Sequence, residues 1–171
     1  TGSCVVGTVS LYYPIEHSAI RFAADGSAYI SGYICQGVTA GTPYGIIRRA
    51  SNGTTTRVVG LAGGATTEGA DAIASILPDL GDFILDANGD IVLSTWTNLR
   101  VRKINMTTGK INTLAGDGTA GYFNVDLGNG DPGAYEPATG VRFRYPSKLA
   151  NWPGGHLLIA DRDNYTVRMI W

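Results

Sequence analysis

Three times along the chain an X-Pro pair opens the same series of strand and turn signals, and this recurrence limits the fold more than any other feature. Tyr13-Pro14, Leu77-Pro78 and Tyr145-Pro146 each introduce an apolar strand. A turn follows each, at Asp25-Gly26, Asn88-Gly89 and Gly154-Gly155. Then comes a second strand: Ala28-Tyr29-Ile30-Ser31, Ile91-Val92-Leu93-Ser94 and Leu157-Leu158-Ile159-Ala160. A third strand carries an arginine near its middle, in Ile46-Ile47-Arg48-Arg49, Val101-Arg102-Lys103-Ile104 and Val167-Arg168-Met169-Ile170. The first two units turn again at Asn52-Gly53 and Thr108-Gly109 into a fourth strand, ending Val58-Val59-Gly60 and Leu114-Ala115-Gly116. Glycine supplies the positive φ that short hairpins demand, so each complete unit reads as a four-stranded antiparallel meander.

The third unit lacks its fourth strand, yet Val5-Val6-Gly7 near the other end of the sequence matches Val58-Val59-Gly60. The predicted fold is therefore an all-β, β-propeller-type chain of three four-stranded antiparallel blades, the last completed by an N-terminal strand. The 171 residues form one domain, in which residues 1–10 are the shared strand, 11–60 blade one, 77–116 blade two and 141–171 blade three. At most a helical turn is expected between Glu68 and Leu77. The composition agrees: 24 glycines, 44% hydrophobic and only 16% charged residues describe a turn-rich globular chain with an uncharged polar surface.

The stretches "INTLAGDGTAGY", "EPATGVRFRYPSKLA", "GGHLLIADRDNYTVRMI" and "VRKI" resemble NHL-repeat propellers, most closely between Val101 and Ile170. Asp161, Asn164, Val167 and Arg168 stand where that repeat carries its Asp, Asn, aliphatic and basic residues. Asn98, Val101 and Arg102 do so in the second unit, with Thr95 in place of the Asp. The first unit departs most, with Ser31-Gly32 and the insertion "YICQGVTAGTPYG". Enzymatic propellers of this broad kind exist, but their metal and acid-base residues have no residue-by-residue counterpart here.

Several patterns imitate sites. "GDGTAG" (116–121) and "GNGDPG" (128–133) satisfy G-x-G-x-x-G, but no helix follows to face a pyrophosphate. His17 and His156 are the only histidines, which argues against a histidine-rich metal site. No cofactor is expected; Ca²⁺ on the linker carboxylates Asp117, Asp126, Asp131 and Glu136 is the one alternative, although their spacing is not that of a calcium loop. Cys4 and Cys35, the only cysteines, read as a single disulfide or as two unpaired thiols. The sequons at Asn52, Asn105 and Asn164 point to export and possible N-glycosylation. A net charge of −1 argues against nucleic acid, and no apolar run is long enough to span a membrane.

Arg48, Arg102 and Arg168 read as register pins that bind linker carbonyls or the Asp of the preceding turn. Tyr12, Tyr13, Tyr29, Trp96, Tyr122, Phe143, Tyr145, Trp152 and Trp171 read chiefly as blade-to-blade packing. No catalytic constellation is visible, so the chain is read as a non-enzymatic extracellular or cell-surface structural and interaction protein. Three blades fill part of a ring, since propellers have four to eight. The expectation is that the strand holding Cys4, Val5 and Val6 adds to the edge formed by Thr166, Val167, Arg168, Ile170 and Trp171 of a neighbouring copy. The product is a closed six-bladed ring or a filament. The alternative is a lectin-like propeller that binds glycans or another small ligand; other proteins are further candidate partners.

Overall fold

The computed structural model describes residues 11–12, 19–34, 44–60, 67–121 and 137–170. All regular structure among them is antiparallel β-sheet and three short 3₁₀ turns, Ala72–Ala74, Ala138–Gly140 and Arg162–Asn164. The first of these turns is the helical turn expected between Glu68 and Leu77. The strands are β1 (Leu11–Tyr12), β2 (Ile20–Phe22), β3 (Ala28–Ile34), β4 (Tyr44–Arg49), β5 (Thr55–Val59), β6 (Ala70–Asp71), β7 (Asp82–Leu85), β8 (Ile91–Thr95), β9 (Arg100–Ile104), β10 (Lys110–Ala115), β11 (Pro146–Trp152), β12 (His156–Asp161) and β13 (Thr166–Ile170).

They form three sheets, as the repeat predicts. The first contains the meander β2-β3-β4-β5, with β1 pairing the far end of β3; the second runs β6-β10-β9-β8-β7; the third runs β11-β12-β13. The chain is thus all-β and propeller-like. Two short strands were not anticipated, and each makes its sheet five-stranded. Both β1 and β6 are two residues long, too short to show the alternation that marks a strand in a sequence. Position β6 is held by backbone bonds from Gly69 N–H to the Ile111 carbonyl (3.0 Å) and from Ala72 N–H to the Gly109 carbonyl (2.8 Å).

The first hairpin of sheets one and two is closed by the same turn. Gly26 N–H donates to the Ala23 carbonyl and Gly89 N–H to the Asp86 carbonyl, both at 3.0 Å. Gly26 and Gly89 each have φ of +79°, a conformation that side chains with a Cβ rarely adopt. Sequence and geometry agree here residue for residue.

One equivalence read from the sequence is shifted. Arg168 lies opposite Ile159, whereas the residue opposite Ile30, the counterpart of Ile159 in the repeat, is Ile47. Arg48 instead faces Tyr29. Tyr29 and Ile159 are both buried, so each arginine lies on the buried face of its sheet and the one-residue step is in the linear alignment of β3 with β12. β4 also carries a register irregularity against β5 at Ile46/Ile47.

By its contacts the chain divides into two compact units, residues 1–80 with 104–111, and residues 81–103 with 112–171. In the first unit Tyr29, Tyr44, Ile46, Val59, Leu77, Leu80 and Ile111 are buried. In the second, Ile84, Val92, Val101, Ala115, Phe143, Leu149, Leu157 and Ile159 form one apolar cluster. There β11 packs across β7 and β8. Three hydrogen bonds fix that contact: Leu149 N–H to Asp82 Oδ2 (3.3 Å), Asn151 Nδ2 to the Leu85 carbonyl (2.7 Å) and Lys148 Nζ to the Gly81 carbonyl (3.5 Å). Gly81 is needed for the approach, since a Cβ there would stand 2.8 Å from Ser94 Oγ and 3.0 Å from two carbonyl oxygens of Pro146 and Ser147.

Candidate functional site

Three of the residues that carry the resemblance to NHL repeats, Asp161, Asn164 and Arg168, meet at one buried carboxylate. Asp161 ends β12 with no exposed surface. Its Oδ1 accepts the backbone N–H groups of Arg144 (2.9 Å) and Tyr145 (3.0 Å). Its Oδ2 accepts Asn164 Nδ2 (2.7 Å) and Arg168 Nε (2.9 Å). Asn164 Nδ2 also donates to the Gly121 carbonyl at 2.8 Å, and Arg168 donates to the Arg142 carbonyl at 3.3 Å. One carboxylate therefore ties the segment entering the sheet, the β12–β13 turn and β13 together. Every lone-pair direction of Asp161 faces a protein donor, so this group is a structural clasp with nothing left for a substrate.

Cationic side chains hold the turns of the first two sheets in a different way. Arg48 donates to Asp25 Oδ2 (2.7 Å) and Ser27 Oγ (2.8 Å). Lys103, not Arg102, does the matching work in the second unit, reaching Asp86 Oδ2 (2.7 Å) and Asp90 Oδ2 (3.1 Å). Arg102 is buried in β9. The Asp25 carboxyl lies below its ordinary pKa because the Ser27 amide, the Ser27 hydroxyl and Arg48 all donate to it. Burial would raise Asp86, but the Lys103 ammonium and the amides of Asn88 and Asp90 outweigh it and hold the carboxyl below the usual range. Lys103 is correspondingly raised, first by its hydrogen bond to Asp86.

Beside this ion pair the second unit opens into a cleft of about 380 Å³, near the lower end of the range for small-molecule sites. Asp86, Asn88, Lys103, Asn151, Trp152 and His156 line it. Trp152 is 53% exposed. In the sequence Trp152 reads as packing, and these residues are too far apart to group. The available signal was Asn151-Trp152 at one hairpin end and the triad Asp86, Asn88, Asp90 at another. At the opposite ends of the strands, Trp96 stacks on Tyr145 (5.4 Å between centroids, 15° between planes) and Arg162 lies 3.9 Å over the Tyr145 ring.

The first G-x-G-x-x-G stretch has a packing explanation. A Cβ on Gly116, whose φ is +94°, would collide with the Leu99 carbonyl, and one on Gly118 would meet the Arg100 guanidinium. Arg100 donates from Nη2 to the Asp117 carbonyl at 2.7 Å. The glycines admit a strand and an arginine, not a phosphate. Asp117 is occupied by the Thr119 amide (2.6 Å) and Arg142 Nε (3.0 Å). Asp126, Asp131 and Glu136 lie outside the described residues. So do Cys4, Cys35, Val5, Val6, His17, Tyr13, Tyr122 and Trp171. Among the described residues no three His, Cys, Asp or Glu side chains converge as a metal site, and no helix is long and apolar enough to cross a membrane.

The three sequons differ in their surroundings. Asn52 is exposed and its Oδ1 accepts Thr54 N–H at 2.9 Å, leaving its amide nitrogen outward. Asn105 Oδ1 accepts the Thr107 (3.1 Å) and Thr108 (2.8 Å) amides. Asn164 spends its nitrogen in the clasp.

On β13, Val167 is 68% and Met169 38% exposed. Pairing places Met169, Leu158 and Ala150 on one face, with Val167 and Ala160 beside them. That face is opposite to the one carrying Leu149, Leu157 and Ile159. In the first unit, Ile20 (54% exposed) shares a face with Ile30, and Phe22 (75% exposed) with Ala28. Each unit therefore presents exposed apolar side chains on one sheet face, with Lys148 opposite Ala160 on the one and Arg49 opposite Ala28 on the other.

No family profile matches the sequence and no curated protein matches it. Solved structures share the fold. A Bacteroides thetaiotaomicron structural genomics protein of unknown function is 15% identical with a TM-score of 0.67, the match covering 89% of this chain and 34% of that one. An auxiliary nutrient binding protein from the same organism is 20% identical with a TM-score of 0.63, over 90% of this chain and 37% of that one. A second auxiliary nutrient binding protein, from Bacteroides ovatus, is 20% identical with a TM-score of 0.59 and the same coverage, 90% and 37%. The chain spans about a third of the length of these structures, and what it shares with them is an all-β, propeller-like fold.

Proposed function

We propose that the chain is a non-enzymatic interaction module, built of NHL-type blades, that joins a second copy of itself. The observation that carries this reading is the set of apolar side chains on two sheet faces, Val167, Met169, Leu158 and Ala150 on the third sheet, and Ile20 and Phe22 on the first. Exposed apolar area of this kind is unfavourable in water and marks an interaction surface. In a propeller each blade packs its face on the next, so the third sheet of one copy meets the first sheet of another. Val5-Val6-Gly7 matches Val58-Val59-Gly60, where β5 ends, and in this reading it adds as a strand to the edge of β13. A reciprocal exchange gives a six-bladed ring, and a head-to-tail one a filament. Export, the Cys4–Cys35 disulfide and use of the sequons belong to the same proposal.

The test is the mass of the full chain by light scattering or sedimentation. A dimer or larger assembly is expected, shifted towards monomer by Val167→Lys, by Phe22→Lys and by deletion of residues 1–8. A full chain that is monomeric at every accessible concentration would refute self-assembly. A second reading, binding of a glycan or other small ligand, is favoured by exposed Trp152 in a cleft and by the two similar folds described as auxiliary nutrient binding proteins.

A further inference from the structure

The geometry points to the cleft of the second unit as a binding site for a neutral pyranose, reached from the hairpin ends, which deepens the ligand-binding reading above. Trp152 supplies a platform: the residue is 53% exposed and lines the cleft. The C–H face of a sugar ring is apolar and its equatorial hydroxyls are polar. An indole beneath it buries the first while leaving the second to surrounding donors and acceptors. Asn88, exposed in the turn after β7, is one such group, because among the described residues no hydrogen bond engages its side-chain amide. Asn151 is another. Its Nδ2 is fixed on the Leu85 carbonyl at 2.7 Å, which pins the side chain and leaves Oδ1 to accept.

The floor of the cleft fixes the charge of the ligand. Asp86 and Asp90 share the single ammonium of Lys103, at 2.7 and 3.1 Å. Of these three only Asp86 and Lys103 face the cleft, and they are already paired with each other, so an anionic sugar would have to displace a carboxylate from the ammonium. A cation would have to compete with a lysine already held by two oxygens. A neutral, hydroxyl-rich ligand meets neither penalty and can accept from Lys103 or donate to the free lone pairs of Asp86. The same shell excludes a purely apolar ligand, which would strip water from the ion pair without replacing it.

Titration calorimetry of the full chain with maltotetraose, cellotetraose and xylotetraose, against tri-galacturonate as the anionic control, tests this. Binding of at least one neutral probe is expected, with Trp152→Ala weakening it tenfold or more, about 1.4 kcal/mol, and Asn88→Ala several-fold. Far-UV circular dichroism checks that both variants stay folded, and Trp152→Phe, which keeps an aromatic platform, should retain most of the affinity. Phe22→Lys should alter the assembled mass and leave sugar binding intact, so this site and the self-association surface fail separately. The assignment is overturned if no neutral probe binds below about 10 mM, if Trp152→Ala binds as tightly as the unsubstituted chain, or if the uronate binds best.

Discussion

Replacing Asp161 by alanine should be among the most damaging single changes in the second unit. The carboxylate has no exposed surface, and the Arg168 side chain that it pairs is 10% exposed. Breaking a buried pair from one side leaves the other charge desolvated, which costs about 3–5 kcal/mol. Asp161→Ala also strips the acceptor from the amides of Arg144 and Tyr145. For a domain of this size each kcal/mol moves the melting temperature by about 2–4 °C, so a fall of about 6–20 °C is expected. Asp161→Asn keeps an oxygen for the two amides but turns an N–H₂ towards Asn164 and Arg168, and should fall between. The clean measurement is a double-mutant cycle with Arg168→Ala, followed by denaturant unfolding and by amide exchange at Arg144 and Tyr145. A coupling above about 1 kcal/mol is expected for groups in one network. If the two substitutions add without coupling, or if Asp161→Ala changes stability by less than about 0.5 kcal/mol, the clasp does not hold the third sheet as argued.

Gly116→Ala should cost more than Gly89→Ala in thermal melts: both glycines have positive φ, but only at 116 would the Cβ strike backbone, whereas at 89 it meets open space. The Asp86–Lys103 pair gives a pH signature. A carboxyl lowered in the folded state stabilises above its unfolded value near 4 and loses that contribution as pH falls through the lower folded value. A raised lysine loses its contribution as pH rises beyond about 10.4. Lys103→Met should therefore destabilise modestly, by about 1 kcal/mol for a partly exposed pair, at pH 7, with the gap from the unsubstituted chain closing in strong acid when urea midpoints are compared. Expressed through a glycosylating secretory pathway, the chain should carry glycan at Asn52 by peptide mapping and none at Asn164. Asn164→Ala should lose about 1–3 kcal/mol even without sugar, because it removes two hydrogen bonds from the clasp.

The turns carried the legible part of the fold. Asp25-Gly26 and Asn88-Gly89 announce positive φ, and the chain turns there with one geometry. Alternating apolar residues such as Leu157 and Ile159 likewise mark the buried face of their strand. What escaped were features set by pairing across strands. Arg48 pairs with Tyr29 and Arg168 with Ile159, both buried, although a linear comparison aligns Ile159 with Ile30, so β3 is one residue out of step with β12. Lys103, beside the arginine that attracted notice, proved to be the residue that reaches the turn carboxylates. The cleft was illegible for the same reason: Asn88 and Trp152 are far apart in sequence, and only the packing of β11 across β7 gives them one cavity.

The clasp also bears on the order in which the chain can fold. Its bonds to Asp161 join residues 3, 7, 16 and 17 positions apart. The bonds that seat β11 against β7 span 66 and 67. Loop-closure entropy grows with the logarithm of that separation, so the long contacts cost about 1–2 kcal/mol more to close than the clasp bonds of 7 to 17 residues. The third sheet can therefore close on itself from local contacts alone, before it has a neighbour. Docking onto β7 then joins a preformed sheet to another, and the slow search is reduced to finding one rigid partner.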